Sequence, residues 1–328
     1  MKRNSILIAL TLLTASTAWA EEVPKDTIKV VDVEEVLVIA SPKENRKLRE
    51  LPTASTLLSQ HDMQANQVTN LKGLTALVPN LFIPDYGSRL TSAIYIRGIG
   101  SRINTPSVGL YVDNVPYIDK SAFDFNYADI ERIDVLRGPQ GTLYGRNTMG
   151  GLIRVHTKSP FSYQGTDLRL SAGTYGNYNA SVTHYHRMSE QFAFSVGGFY
   201  EHADGFFKNS AKNNKKTDRS NAGGGRIRSI YLPTENLKLD FNVNYEYSDQ
   251  GGYPYFYTGK VNEEERKEDT RKDKIGLISY NDESSYYRSL LNASVNIEYQ
   301  AQNFILSAVT GYQHLKDRMF LDQDFTEK

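Results

Sequence analysis

Twelve consecutive residues, Leu237 to Ser248, alternate without a break between apolar and polar side chains. Leu237, Leu239, Phe241, Val243, Tyr245 and Tyr247 form one set, and Lys238, Asp240, Asn242, Asn244, Glu246 and Ser248 the other. Leu291 to Gln300 repeats the pattern. A period of two belongs to a β-strand that shows an apolar medium one face and a polar medium the other. Weaker copies at 166–174, 178–187, 191–201, 225–232 and 302–318 bring the candidate strands to seven. After residue 20 no apolar run approaches the ~20 residues that a membrane helix needs. If this part of the chain meets a bilayer, it crosses as strands.

Two architectures share such alternation. A soluble antiparallel sheet is half buried and half wet. A transmembrane barrel needs strands of about ten residues, tight turns on one side and long loops on the other. The connections near 188–190, 233–236 and 300–302 are tight, and those near 202–224 and 249–285 are long and polar, with 174–177 the exception. Tyr and Phe near strand ends suit interfacial girdles. The lengths and the rhythm favour the barrel. Seven strands leave an odd, open sheet with two unpaired edges, which hydrocarbon does not tolerate. The chain runs out in "KDRMFLDQDFTEK" without a terminal aromatic residue, so an N-terminal fragment of a longer protein is expected.

The first half reads differently. Lys2 and Arg3, the apolar "SILIALTLLTASTA" and the small-x-small "AWA" before Glu21 predict a secretory signal over 1–20 and Sec-type export. A polar extension over 21–50 contains "VEEVLVIASP", an apolar strand-former with nothing nearby to bury it. It is either an edge strand of the next domain or a segment that adds to the open sheet edge of a partner. Residues 51–160 predict a compact α+β domain. "NLKGLTALVPNL" (70–81) has helical spacing, short strands follow at "SAIYIRG", "SVGLYVDNVPY", "IERIDVLRG" and "GLIRVHTK", and Asp113-Asn114 marks a tight hairpin turn.

The composition narrows the chemistry. Basic and acidic residues number 38 each, which leaves no footprint for a nucleic-acid partner. There is no cysteine, hence no disulfide or thiolate chemistry. The glycine-rich "RGPQGTLYGRNTMGGLI" (137–153) suggests a phosphate loop, yet no G-x-x-x-x-G-K-[ST] occurs, and "GIGSRI" breaks the dinucleotide pattern. Neither G-x-S-x-G nor H-E-x-x-H appears. His184 and His186 share a strand face, a weak metal hint set against a polar strand end. No catalytic residue, cofactor or resident metal is expected.

"VEEVLVIA", "IYIRGIG", "GLYVDNVPY" and "IERIDVLRGPQGTLYGRNTMGGLIRVHTK", in that order, resemble the TonB-dependent outer-membrane receptors over roughly residues 33–160. Asn114 replaces the family's usual hairpin Gly, Thr148-Met149 stand near its usual Ala, and Arg154 takes the place of its usual Asn. The resemblance implies an α+β plug domain at 51–160 followed by antiparallel transmembrane β-barrel strands at 161–328, a part of the 22 that a plugged barrel uses. It implies a non-enzymatic transporter of a scarce nutrient. Val33, Glu34, Glu35, Val36, Leu37, Val38 and Ile39 resemble the TonB box, whose partner TonB is driven through ExbB and ExbD in the inner membrane. Arg97 and Arg137 are implied to pair with acidic groups, Glu131 being a local partner and the barrel wall supplying others, although arginines solvated in the lumen are the alternative. Gly98, Gly138, Gly145, Gly150 and Gly151 are read as turn and packing positions in the plug.

Ligand contacts in such receptors come from the plug apex and the long outer loops. Ser101, Arg102 and Asn104 on the apex are the candidates here, with Tyr253, Tyr255, Phe256 and Tyr257 in a loop that could equally be an aromatic girdle. Glycan importers usually carry an extra module before the plug, and only about a dozen residues separate Glu21 from the box. A ferric siderophore or similar chelate is therefore the favoured small-molecule ligand, with outer-membrane lipid as the surroundings. A glycan or cobalamin importer, and a truncated product that only binds, are the alternatives.

Overall fold

The computed structural model describes residues 53–66, 68, 70–84, 93–102, 105–123, 129–213, 215–259, 273 and 275–326. The signal at 1–20, the extension with Val33 to Ile39, and Asn104 lie outside the described residues.

A small mixed sheet comes first. Its strands are β1 (Ala54–Ser59), β5 (Val108–Val112), β6 (Val115–Tyr117), β7 (Ile130–Arg137) and β8 (Gly151–Thr157), in the order β1-β7-β8-β5-β6. Only β5 and β8 run parallel. The register places Ile133 opposite Val155 and Val135 opposite Ile153, and β8 then sets Ile153 beside Leu110 and Val155 beside Val112. That apolar face is closed by Met63 from helix α1 (Gln60–Ala65) and by Leu71, Leu74 and Val78. Arg132, Asp134, Arg154 and His156 occupy the other face, where Asp134 is fully buried and held by Arg132 at 2.8 Å and His156 at 3.0 Å.

Local chemistry explains the departures from the expected elements. Helix α1, not anticipated, starts on a capping box: Ser59 Oγ accepts from Asp62 N, and Asp62 Oδ2 accepts from Ser59 N. The helix expected over 70–81 is a 3₁₀ helix at Leu71–Ala76, capped by Asn70. Gly73 weakens α-helix formation and Pro79 limits it, but Leu71, Leu74 and Val78 still face the core. "SAIYIRG" is not one strand. It forms β3 (Tyr95–Ile96), which turns back at Arg97-Gly98 into β4 (Ile99–Gly100), and β2 (Leu81–Phe82) pairs with β3. Both turn residues have positive φ, 52° and 79°, as does Asp113-Asn114 (48° and 69°) between β5 and β6.

A seven-stranded antiparallel wall follows, in the order β17-β16-β15-β14-β11-β10-β9. Its members are β9 (Gly165–Gly173), β10 (Asn177–Arg187), β11 (Phe192–Ala203), β14 (Ser220–Thr234), β15 (Leu237–Gln250), β16 (Ser285–Gln300) and β17 (Ile305–Phe320). The turns at 188–191, 235–236 and 301–304 lie at one end. The connections 174–176, 204–219 and 251–284 lie at the other, and the second contains the short β12 (Lys208–Asn209) and β13 (Lys215–Lys216). Among the described residues, β9 and β17 each keep one unpaired edge.

Burial along this wall is inverted relative to a soluble sheet. Asp240 (4 % exposed), Asn242 (9 %) and Glu246 (4 %) are buried, whereas Phe241 (41 %), Val243 (46 %) and Tyr245 (44 %) are open. The polar side covers the small sheet and the apolar side faces outward, as in a barrel immersed in hydrocarbon. Among the described residues, no helix is long and apolar enough to cross a membrane.

The inversion gives a directional expectation. Val243→Lys, on the open face, should cost about 2–4 kcal/mol at mid-bilayer. Asn244→Lys, one residue on and facing inward, should cost less. Urea titration of folding into lipid vesicles, read from heat-modifiable migration, measures both, and equal costs would contradict an outward lipid face.

Candidate functional site

The sequence directs attention to two arginines, Arg97 in the β3–β4 turn and Arg137 at the end of β7, and among the described residues neither pairs with an acid of the wall. Arg97 occupies an exposed hairpin turn, and its guanidinium reaches toward Gly138. Arg137 ends β7 and donates to the backbone oxygens of Pro79 (3.2 Å) and Ser55 (3.3 Å). Glu131 sits near the opposite end of the same strand, about 20 Å away at ~3.3 Å per residue, so it is not the local partner of Arg137. Among the described residues, neither arginine meets a carboxylate. The five singled-out glycines fall into two groups. Gly98, Gly138 and Gly145 serve by positive φ alone, whereas Gly150 and Gly151 (the latter also at positive φ, 157°) permit close approach, a Cβ on Gly150 falling 2.8 Å from Ile99 O and one on Gly151 meeting Leu136 O.

The ligand candidates separate as well. Ser101 lines a largely apolar cavity with Leu71, Ile83, Ile94, Phe123 and Lys120, and the Arg102 carbonyl accepts from Lys120 Nζ. None of the four loop aromatics lines that cavity. Tyr253 is buried and stacks on Tyr255 at 5.9 Å, and Tyr255 meets Phe325 edge-on at 5.5 Å. Phe256 is exposed, and the Tyr257 carbonyl accepts from Gly276 N. His184 and His186 stack with ring centres 6.0 Å apart on the outward side of β10. Among the described residues, no group of three or more His, Cys, Asp and Glu could hold a metal ion.

Sequence reasoning missed a buried charged cluster that joins the wall to the small sheet. Its cations come from the wall, and two of its three acids come from the small sheet. Arg226 and Arg228 project inward from β14 on either side of the exposed Ile227. Arg226 pairs with Asp113 at 2.7 Å and with Asp129 at 2.8 Å, and its Nε donates to Asn242. Arg228 grips Asp240 of β15 in a two-pronged bond, 2.7 and 3.1 Å, and donates to Thr157 Oγ1 at 2.8 Å. Asp113 also accepts from Thr157 N and Thr157 Oγ1. Burial alone would raise the Asp113 carboxyl, but the Arg228 and Arg226 guanidiniums and the Thr157 donors outweigh it and hold the group well below the usual carboxylate range.

Two further ties flank this cluster. The fully buried Arg288 of β16 donates to the Ser121 carbonyl of the small domain and pairs with Glu246 of β15. Lys158, where the chain leaves β8, pairs with Asp167 of β9 and lies over the Tyr163 ring at 4.8 Å. Neutral bonds fill in between: Asn292 Nδ2 donates to Tyr117 Oη, Asn296 Nδ2 to the Asp113 carbonyl, and Ile118 N to Gln313 Oε1. Four neighbouring wall strands, β14 to β17, thereby grip one arm of the small domain, from Asp113 to Ser121. One signal was available in the sequence. Arg226 and Arg228 stand two apart on a strand whose partner carries Asp240 and Asn242 on its polar side.

Known proteins agree with this architecture. Residues 47–152 match the "TonB-dependent Receptor Plug Domain". The pesticin receptor of Yersinia pestis is 35% identical over 133 residues, which is 40% of this chain and 20% of that receptor. The vitamin B12 transporter BtuB of Vibrio vulnificus is 24% identical over 217 residues, 63% of this chain and 33% of that protein. The solved ferric yersiniabactin uptake receptor FyuA from Yersinia pestis superposes with a TM-score of 0.70 at 21% identity, covering 83% of this chain and 42% of its own. The ferripyoverdine receptor of Pseudomonas aeruginosa gives 0.64 at 16%, covering 82% and 35%. At these identities the structural likeness is one of fold. The chain spans a fifth to a third of the length of these curated relatives.

Removing one member of a buried ionic cluster strands the rest. Arg228→Leu should cost about 3–5 kcal/mol, because the buried Asp240 loses its counter-charge and Asp113 is left with Arg226 alone. Thermal denaturation measures the cost, and a loss under about 1 kcal/mol would mean that the cluster is solvated. The pH dependence has a definite sign. The folded Asp113 value lies below the ordinary ~3.9, so its contribution is full above that pH and disappears as pH falls through the folded value. Between pH 8 and 5, Asp113→Asn should therefore lower the midpoint by a constant amount.

Proposed function

Since the chain belongs to the TonB-dependent receptor family, matching its plug and the first part of its barrel, we propose that it acts within an outer-membrane receptor that imports a metal chelate of the ferric-siderophore type. Receptors of this family are non-enzymatic transporters. The observation that carries the reading is a family plug held by buried ion pairs against a wall that is polar inside and apolar outside. Relatives named for ferric yersiniabactin and ferripyoverdine support the chelate class. Vitamin B12 is the second reading, supported by the broader reach of the match to that transporter along this chain.

The remaining assignments complete the proposal. The signal over 1–20 exports the chain by a Sec-type route. Val33 to Ile39 form the strand that TonB pairs with, an interaction that backbone hydrogen bonds supply and that needs every N–H along it. ExbB and ExbD deliver the energy, because the outer membrane holds no ion gradient of its own. Arg97 and Arg137 reach their acidic partners on wall strands other than the seven seen here. Ser101, Arg102 and Asn104 meet cargo from the plug side, with Tyr253, Tyr255, Phe256 and Tyr257 contributing from the outer loop.

Leu37→Pro removes one N–H and fixes φ inside the TonB strand. In the full-length receptor it should abolish co-purification with TonB and chelate uptake while leaving the amount of folded outer-membrane protein unchanged. Undiminished uptake would overturn the TonB assignment.

A further inference from the structure

A second charged site lies outside the plug–wall contact. The connection 204–219 is rich in cations, and Lys212, Lys215, Lys216 and Arg219 line one depression between it and the connection 251–284. Its volume is about 100 Å³, several times what one water requires, ~10–15 Å³. Glu283 is the single carboxylate in its lining, and no plug residue contributes. Lys216 shares Asp204 at 3.5 Å and Arg219 shares Asp249 at 3.5 Å, both long contacts in partly open surroundings. Among the described residues, Lys212 and Lys215 meet no carboxylate, and Lys212 lies 5.9 Å from the centre of the Tyr280 ring.

The floor is built and buried. Asn209, fully buried, donates from Nδ2 to the Tyr280 carbonyl at 2.9 Å, and Ser210 N donates to Ile278 O at 2.9 Å, which ties the two connections together. Gly251 and Gly252 let the chain pass where a Cβ would strike Thr217 O and the Tyr280 hydroxyl. Thr217 (8 % exposed) and Tyr280 (3 % exposed) both line the depression. The Tyr280 side chain lies beside Thr217 and the Asn209 amide. Tyr280 Oη and Thr217 Oγ1 are thus neighbours on the floor, poorly aligned for a bond to each other and free to turn toward a ligand. A buried hydroxyl left unpaired costs roughly 1–3 kcal/mol, and a ligand with several acceptor oxygens and negative charge relieves both the hydroxyls and the crowded cations.

We propose that Lys212, Lys215, Lys216, Arg219, Thr217 and Tyr280 form a binding site for a phosphate group at the loop end of the wall, distinct from the cargo cavity on the plug. Phosphate matches the inventory: it carries up to two negative charges near neutral pH and offers acceptors in several directions to ammonium, guanidinium and hydroxyl donors. The source is either a soluble phosphate compound or the headgroup of a phosphorylated lipid in the surrounding leaflet. The site stands independently of which nutrient the receptor carries.

The test uses the full-length receptor in neutral detergent, with inorganic pyrophosphate as one probe and phosphatidic acid in mixed micelles as the other. Calorimetric titration should show saturable binding of at least one probe, weakening as salt is raised. Lys212→Gln combined with Lys215→Gln should reduce affinity by about tenfold or more. Thr217→Val, which changes no charge, should reduce it by about fivefold. Lys238→Gln, at the opposite end of the wall, should change nothing. Binding of pyrophosphate alone assigns a soluble source, and binding of phosphatidic acid, competed by pyrophosphate, assigns a headgroup. No saturable binding of either probe, or binding indifferent to the Lys212/Lys215 and Thr217 substitutions, would overturn the proposal.

Discussion

Arg226 and Arg228 leave the wall on its polar side and find Asp113, Asp129, Asp240 and Thr157 waiting there. A guanidinium withdrawn from water costs several kcal/mol unless an opposite charge and further donors and acceptors meet it. The wall can therefore turn its charged side inward only if something inside returns the charge. The small sheet does so at two places, the Asp113 turn and the neighbourhood of Asp129. Its Thr157 also bridges the acid of the sheet to the arginine of the wall. The cluster need not add much net stability, since desolvation consumes most of the attraction. What it adds is position: with five polar partners set by geometry, the Asp113 hairpin has one seat on the wall.

Much of the fold was legible because strand alternation is local. Leu237 to Ser248 shows its two faces in its own composition, and the structure buries Asp240, Asn242, Glu246 and Ser248 of the polar set and exposes Phe241, Val243 and Tyr245 of the apolar one. The Asp113-Asn114 turn was equally plain, since few residues other than Gly, Asn and Asp accept two positive φ values in succession. What failed had a different origin. "SAIYIRG" carries strand-forming residues, yet the turn at Arg97-Gly98 folds it onto itself, and no apolar count reveals that an arginine will take φ 52°. The 70–81 segment kept its spacing but not its hydrogen-bond pattern, because Gly73 and Pro79 shorten it below what an α-helix needs.

The charged site was harder to read, and the reason is pairing across long sequence distance. Arg97 and Arg137 attract notice because each precedes a glycine in a recognisable string, whereas Arg226 and Arg228 sit in an ordinary strand. The acids that Arg226 meets are Asp113 and Asp129, about a hundred residues away, and only the register of β14 beside β15, with the plug behind both, brings them within 3 Å. Asp113 was visible as a turn residue and hid its second role, since the geometry that suits the turn also aims its carboxylate at the wall. Glu131 shows the converse: nearby in sequence, it is carried to the far end of a straight strand.

The structure thus holds two populations of cation with opposite physical logic. Arg228 and Arg288 are buried and Arg226 is largely so, each already bonded to a carboxylate and to other polar groups, so a ligand arriving there would first have to displace a partner that burial makes hard to replace. Those residues hold parts together. Among the described residues, Lys212 and Lys215 stand between loops without a carboxylate, beside two buried hydroxyls that are poorly paired. Exposed cations lose little when they exchange water for an anion, and buried donors gain most when an acceptor arrives. Charge satisfied at folding serves the fold, and charge left unsatisfied at a built surface is free to serve binding. By that criterion the inner cluster is architecture and the loop cluster is a site.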